Sequence, residues 1–118
     1  MTRGQCYTEI AHVEGAALNL TQAVANEMAL EDERALVKVE AIRRIMESAP
    51  NALTGKPHSA SSAEAIVEQD AVYYEHRAKQ RAAVCDVILM RGKYEAARLR
   101  ARFAVELAAM DGIALELD

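Results

Sequence analysis

Tryptophan is absent from the 118 residues, phenylalanine occurs once, and aromatics total 4%. A core built on large rings is therefore excluded, and Ala, Leu, Val, Ile and Met must fill the interior of a chain that is 52% hydrophobic. Such small side chains suit close helix packing better than a large globular core. The only two prolines, Pro50 and Pro57, fall in one loop, and no Asn-Gly turn interrupts the rest; strands are not expected. No run of about 18 apolar residues occurs, which excludes a hydrophobic spanning helix. No apolar leader core follows Arg3, so export is not expected either. Cys6 and Cys85 are isolated thiols without CxxC or metal spacing, the pattern of free cysteines in a reducing, cytoplasmic compartment.

What is present is two long Ala-rich, periodically apolar stretches, 8–49 and 61–110, with a loop over 50–60 between them. The expected fold is all-α: a single domain over 1–118 forming a long antiparallel helical hairpin of coiled-coil type. A hairpin of this length has little interior of its own, so a partner is expected, most simply a second copy forming a dimeric helical bundle.

Thr8 is a candidate cap for the first helix, and Ile10, Val13, Ala17, Leu20, Val24 and Met28 follow at helical spacing, continued by Ala35, Val39, Ile42, Met46 and Ala49. Gly15 and the Asn19-Leu-Thr-Gln22 pattern mark where this helix has a reason to break, although an uninterrupted helix is the favoured reading. Pro50 ends it. Ser61-Ser-Ala-Glu64 has the capping-box spacing for a second helix, with Glu64, Glu68 and Asp70 at its positive end. An apolar stripe then runs Val67, Tyr74, Ala78, Cys85, Ile88, Gly92, Ala96, Leu99, Phe103, Leu107 and Met110, up to a stop at Asp111-Gly112. This stripe is assigned to the partner helix. A flanking stripe of Ile66, Tyr73, Val84, Val87 and Tyr94 exceeds what one partner covers and is assigned to self-association; the competing reading is that these residues merely cover the hairpin's flank.

In an even hairpin, residue i lies level with roughly residue 110 − i. That places Cys6 beside position 104, about 28 Å along the helix from Cys85, so no intrachain disulfide is expected. It also places Gly15 within a turn of Gly92, either as a shared bend or close crossing, or as two unrelated surface glycines.

From His76 to Arg102 there are eight basic residues, Arg77, Lys79, Arg81, Arg91, Lys93, Arg98, Arg100 and Arg102, against Asp86 and Glu95, a balance of +6 within a chain of net charge −4. Arg77, Arg81, Arg91, Arg98 and Arg102, joined by Lys56 in the loop, form a candidate nucleic-acid contact. The level segment 8–34 carries Glu9, Glu14, Glu27, Glu31, Asp32 and Glu33 against Arg34 alone. Interhelical pairing that fixes register is thus the favoured use of the basic block.

Catalytic chemistry finds little support, and neither a catalytic residue nor a cofactor is expected. Glu9-Ile-Ala-His12 has the E-x-x-H spacing of di-iron bundles, but one copy does not make a site; only a dimer would supply the second. Thr54-Gly-Lys-Pro-His-Ser59 fails the phosphate-loop pattern because Pro50 replaces its first glycine and Pro57 its hydroxyl. His12, His58 and His76 are scattered.

Asn51-Ala-Leu-Thr-Gly-Lys-Pro-His-Ser-Ala-Ser-Ser-Ala-Glu64, with Lys93-Tyr-Glu-Ala-Ala-Arg-Leu-Arg100, resembles a group of small helical proteins encoded by bacteriophages and prophages. The resemblance implies a bacterial cytoplasmic setting and a role near phage replication or recombination. It covers about half the chain, chiefly the second helix, and transfers no functional residues. The expected function is a non-enzymatic helical accessory or adaptor acting by self-association; the alternative is a nucleic-acid-binding accessory using the basic stripe.

Overall fold

The computed structural model describes residues 1–48 and 50–115 and is an all-α helical hairpin. Helix α1 spans Arg3–Ser48, a short α2 spans Ala60–Ala65, a single 3₁₀ turn covers Val67–Gln69, and α3 spans Ala71–Met110. Ala49, expected to close the first helix, lies outside the described residues. No described helix is long and apolar enough to cross a membrane.

Helix starts and stops follow local chemistry, in places not where the sequence reading put them. Thr2, rather than Thr8, caps α1: its hydroxyl accepts from the Gln5 amide at 3.1 Å while the Gln5 side chain accepts from the Thr2 amide at 2.7 Å. This is the reciprocal capping box, written here as Thr-x-x-Gln. The Thr8 hydroxyl instead donates back to the Gly4 carbonyl within the helix. The segment 15–22 does not break, and Thr21 likewise bonds the Ala17 carbonyl. Ser59, two residues before the expected Ser61, caps α2 by accepting from the Ser62 amide. Glu64, expected to close that box, reaches Lys38 of α1 at 2.8 Å.

The long second helix is not continuous with α2. It begins after Asp70, whose Oδ1 accepts from the Tyr73 amide at 3.0 Å and so acts as its N-cap. At the other end Gly112, at φ 71°, and Ile113 return their amides to the carbonyls of Ala109 and Ala108. This is the Schellman closure, and Ile113 adds the accompanying apolar contact. Gly92 leaves α3 unbroken, and a Cβ on Gly15 or Gly92 would meet nothing. Neither a bend nor a close crossing explains these two glycines.

Packing gathers the chain into two compact units, one of residues 1–25 and 85–118, the other of residues 26–84. In the first, Cys6, Ala104 and Ala108 form a buried cluster with Ile113 and Leu115 against it. Cys6 sits level with Ala104, as the even register requires, and its thiol donates to the Ala104 carbonyl at 3.3 Å. Both cysteines are free. In the second unit Ala41, Ile45, Ala63, Val67 and Tyr73 form the core, with Val37, Ile42 and Ile66 packed on it.

The two stripes of the second helix exchange roles relative to the sequence reading. Buried positions on α3 are Tyr73, His76, Gln80 and Ala83 in one unit and Val87, Ala97, Ala101, Ala104 and Ala108 in the other. They recur at alternating three and four residues, with half-buried Met90 and Tyr94 completing the row. That is the 3.5-residue period of helices packed along their length. Tyr74, Ile88, Leu99, Phe103 and Met110, assigned to the partner helix, are exposed. They stand one or two residues off that row along the whole helix, on its outward side. On α1 the expected stripe starts on the seam but keeps a 3.6-residue spacing, which drifts off a 3.5 seam by about 20° per heptad, so Met28, Val39 and Met46 are exposed although Ile10, Val13 and Leu20 are half-buried.

Candidate functional site

The residues assigned to self-association divide. Tyr73 and Val87 are buried in the seam, and Ile66 packs on the core of the second unit. Tyr94 is half-buried, with the Arg98 guanidinium 5.6 Å from its ring centre. Only Val84 is exposed, at the edge of a cleft it shares with Glu27, Glu31, Arg77, Gln80 and Arg81. Burial on the seam removes Tyr73 and Val87 from any surface contact, whereas Tyr74, Ile88, Leu99, Phe103 and Met110 of the other stripe face outward.

The basic residues are not held by a ladder of interhelical ion pairs. Arg77 donates to the Gln80 side chain at 2.7 Å, Arg81 lies 5.9 Å from the Tyr74 ring centre, and Arg98 and Arg102 pair with Glu95 and Glu106 on their own helix. Arg91 and Lys56 make no ion pair among the described residues. The pairs that do join different helices are Arg100 with Glu9, Lys38 with Glu64 and Arg44 with Asp70. Register therefore rests on the seam and on a few polar ties.

One such tie is a buried polar layer in the second unit. His76 donates from Nε2 to the Leu30 carbonyl at 2.9 Å, and buried Gln80 donates to Glu31 at 2.8 Å while accepting from Arg77. Each buried donor has a partner, so the layer costs little and penalises slippage, which would strand them. Nothing in the periodicity singles out His76 or Gln80; they become legible only once the seam position is known.

Asp70 is the most perturbed group. Arg44 grips it with Nε and Nη2, each at 2.9 Å, and Tyr73 donates its amide to the same carboxylate. Its pKa falls from 3.8 to about 2, because these donors bond the ionised form. The same contact raises Arg44. Lys38 and Glu64 shift each other in the direction of the charged pair through their hydrogen bond. These groups sit where α1, α2 and the start of α3 meet, and they tie that corner together.

The loop is a structured connection. Asn51 and Lys56 are joined by a 2.7 Å amide-to-carbonyl bond, Gly55 at φ 67° returns its amide to Asn51, and the Asn51 side chain accepts from Leu53. Pro50 and Pro57 face each other across its base. The amides of Leu53, Gly55 and Lys56, which an anion would need, are consumed internally. Lys56 is left as an exposed point charge.

Glu9 and His12 do lie together, 3.8 Å apart, but Arg100 stands the same distance from the same carboxylate oxygen. Neither contact is a hydrogen bond, and that buried oxygen has no hydrogen-bond partner among the described residues. Among the described residues no group of three or more His, Cys, Asp or Glu is assembled.

The first unit contains a groove of about 630 Å³ between α1 and α3. Its floor is Ala11, Gly15, Ala16, Ala96 and Ala97, and His12, Lys93 and Arg100 stand around it. Comparison with protein-family models, with curated proteins and with solved structures finds no match for the chain.

Proposed function

We propose that this chain is a non-enzymatic helical accessory or adaptor protein that works as a homo-oligomer, most simply a dimer, through the outward faces of its long helices. The supporting observation is its surface. Met28, Leu36 and Val39 of α1 and Ile88, Leu89, Leu99, Phe103 and Met110 of α3 are large apolar side chains left exposed, more than isolated surface hydrophobes account for. The proposed setting is the bacterial cytoplasm, near phage replication or recombination, as the resemblance of 51–64 implies.

Light scattering with small-angle X-ray scattering tests the reading. A mass of two or more chains is expected, with particle surface reduced per chain; a monomer across the accessible concentration range refutes it. The second reading, a nucleic-acid accessory, draws on Arg91, which is exposed and unpaired among the described residues beside Arg98 on the same face. Its signature is salt-dependent retention on DNA that Arg91→Glu with Arg98→Glu abolishes.

A further inference from the structure

We infer that the groove of the first unit receives the acidic, apolar ridge of α1, residues 28–39, from a second copy of the chain. The inference rests on the self-association reading above and names its surface. Four small residues, Gly15, Ala16, Ala96 and Ala97, leave the groove open, and Lys93 and Arg100 make its edge cationic. Gly15 costs about 1 kcal/mol in a helix interior relative to Ala, and a Cβ there would meet nothing within 4 Å among the described residues. The space suits a ridge of side chains from another helix.

The occupant must be apolar and carry carboxylates. On α1, Met28, Leu36 and Val39 are 62%, 63% and 63% exposed. Asp32 and Glu33 lie among them, exposed and without an ion pair among the described residues. Lys93 is equally unpaired. Twelve helical residues span about 18 Å, close to the roughly 15 Å of α3 between Met90 and Arg100 that lines the groove. A groove meeting its own α3 stripe on a second copy would instead set Lys93 and Arg100 against like charges. In a two-fold dimer the groove-to-ridge contact is made twice.

The test is a charge exchange read by sedimentation equilibrium on the full chain. Both Lys93 and Asp32 are exposed and make no ion pair among the described residues, so Lys93→Glu and Asp32→Lys are expected to fold normally, which circular dichroism checks. Each raises the dimer Kd about tenfold or more, and the double variant returns to within about threefold of wild type. A wild-type dimer indifferent to both single changes, or one that the exchange does not restore, overturns this interface while leaving self-association standing. A wild-type chain that stays monomeric at millimolar concentration overturns both, leaving the groove to an acidic helix of another protein.

Discussion

Removing the Asp70 carboxylate is expected to destabilise the chain by about 2 kcal/mol at neutral pH, and the loss is expected to fade in acid. Two contributions are visible. The carboxylate caps α3 through the Tyr73 amide at 3.0 Å, worth about 1 kcal/mol. It also holds Arg44 by two bonds of 2.9 Å. Lowering a carboxyl from 3.8 to about 2 corresponds to at most about 2.4 kcal/mol for all its charged-state contacts together. Asp70 keeps 10% of its side chain exposed and Arg44 keeps 39%, so solvent screening reduces the pair's share to about 1 kcal/mol. Because the folded pKa is the lower one, the unfolded chain binds more protons between the two values. The contribution is complete above about pH 5 and is lost as pH falls through 4 towards 2. Urea unfolding followed by circular dichroism, at one protein concentration, measures it for wild type, Asp70→Ala and Asp70→Asn. The Asn variant keeps an oxygen for the Tyr73 amide but not the charge. It is expected to lose about 1 kcal/mol at pH 7 and to converge on wild type near pH 2. A deficit below about 0.5 kcal/mol for both variants, or a gap between wild type and Asn constant from pH 7 to pH 2, refutes the assignment.

Ala104→Leu places an isobutyl group where the residue is 1% exposed and the Cys6 thiol lies 3.3 Å from its carbonyl. Overpacking is expected to cost about 1 to 3 kcal/mol, seen as a lowered urea midpoint; an unchanged midpoint contradicts the tight seam. The glycines separate by conformation: Gly92→Ala meets open space in a helix and is expected to gain about 1 kcal/mol. Gly112→Ala, at φ 71°, is expected to lose about as much, and thermal unfolding of the pair reads both signs. On immobilised duplex DNA at physiological salt the wild-type chain is expected to elute with no dependence on Arg91 or Arg98. Salt-dependent retention lost in Arg91→Glu with Arg98→Glu transfers the function to the alternative reading.

The helical nature of both long segments, their antiparallel register and the pairing of Cys6 with position 104 were legible in the sequence. Loop position and chain geometry alone imply them: two stretches without prolines must return beside each other once residues 50–60 turn the chain. Caps were legible in kind but not in place. Thr2-x-x-Gln5 and Asp70-x-x-Tyr73 are local signatures as plain as those at Thr8 and Ser61, and only the hydrogen bonds distinguish used from unused capping residues. Of the candidate contact residues, the basic stripe was recognisable as a run, yet its distribution among Gln80, Tyr74, Glu95 and Glu106 was not, since each Arg has several partners within reach.

Which apolar stripe faces inward was the decision left to tertiary structure. The row at 73, 76, 80 and 83 includes His76 and Gln80 and reads as the poorer hydrophobic line, whereas Ile88, Leu99, Phe103 and Met110 read as the richer one. Intrinsic hydrophobicity favours the second, but two helices that must stay in contact over many turns can touch only along a 3.5-residue row. Close approach of their backbones further favours Ala97, Ala101, Ala104 and Ala108 over large side chains there. The sequence by itself determined the helices and the turn between them. Only their packing decided that His76, Gln80, Ala97, Ala101, Ala104 and Ala108 of α3 go inside and that Ile88, Leu99, Phe103 and Met110 remain outside.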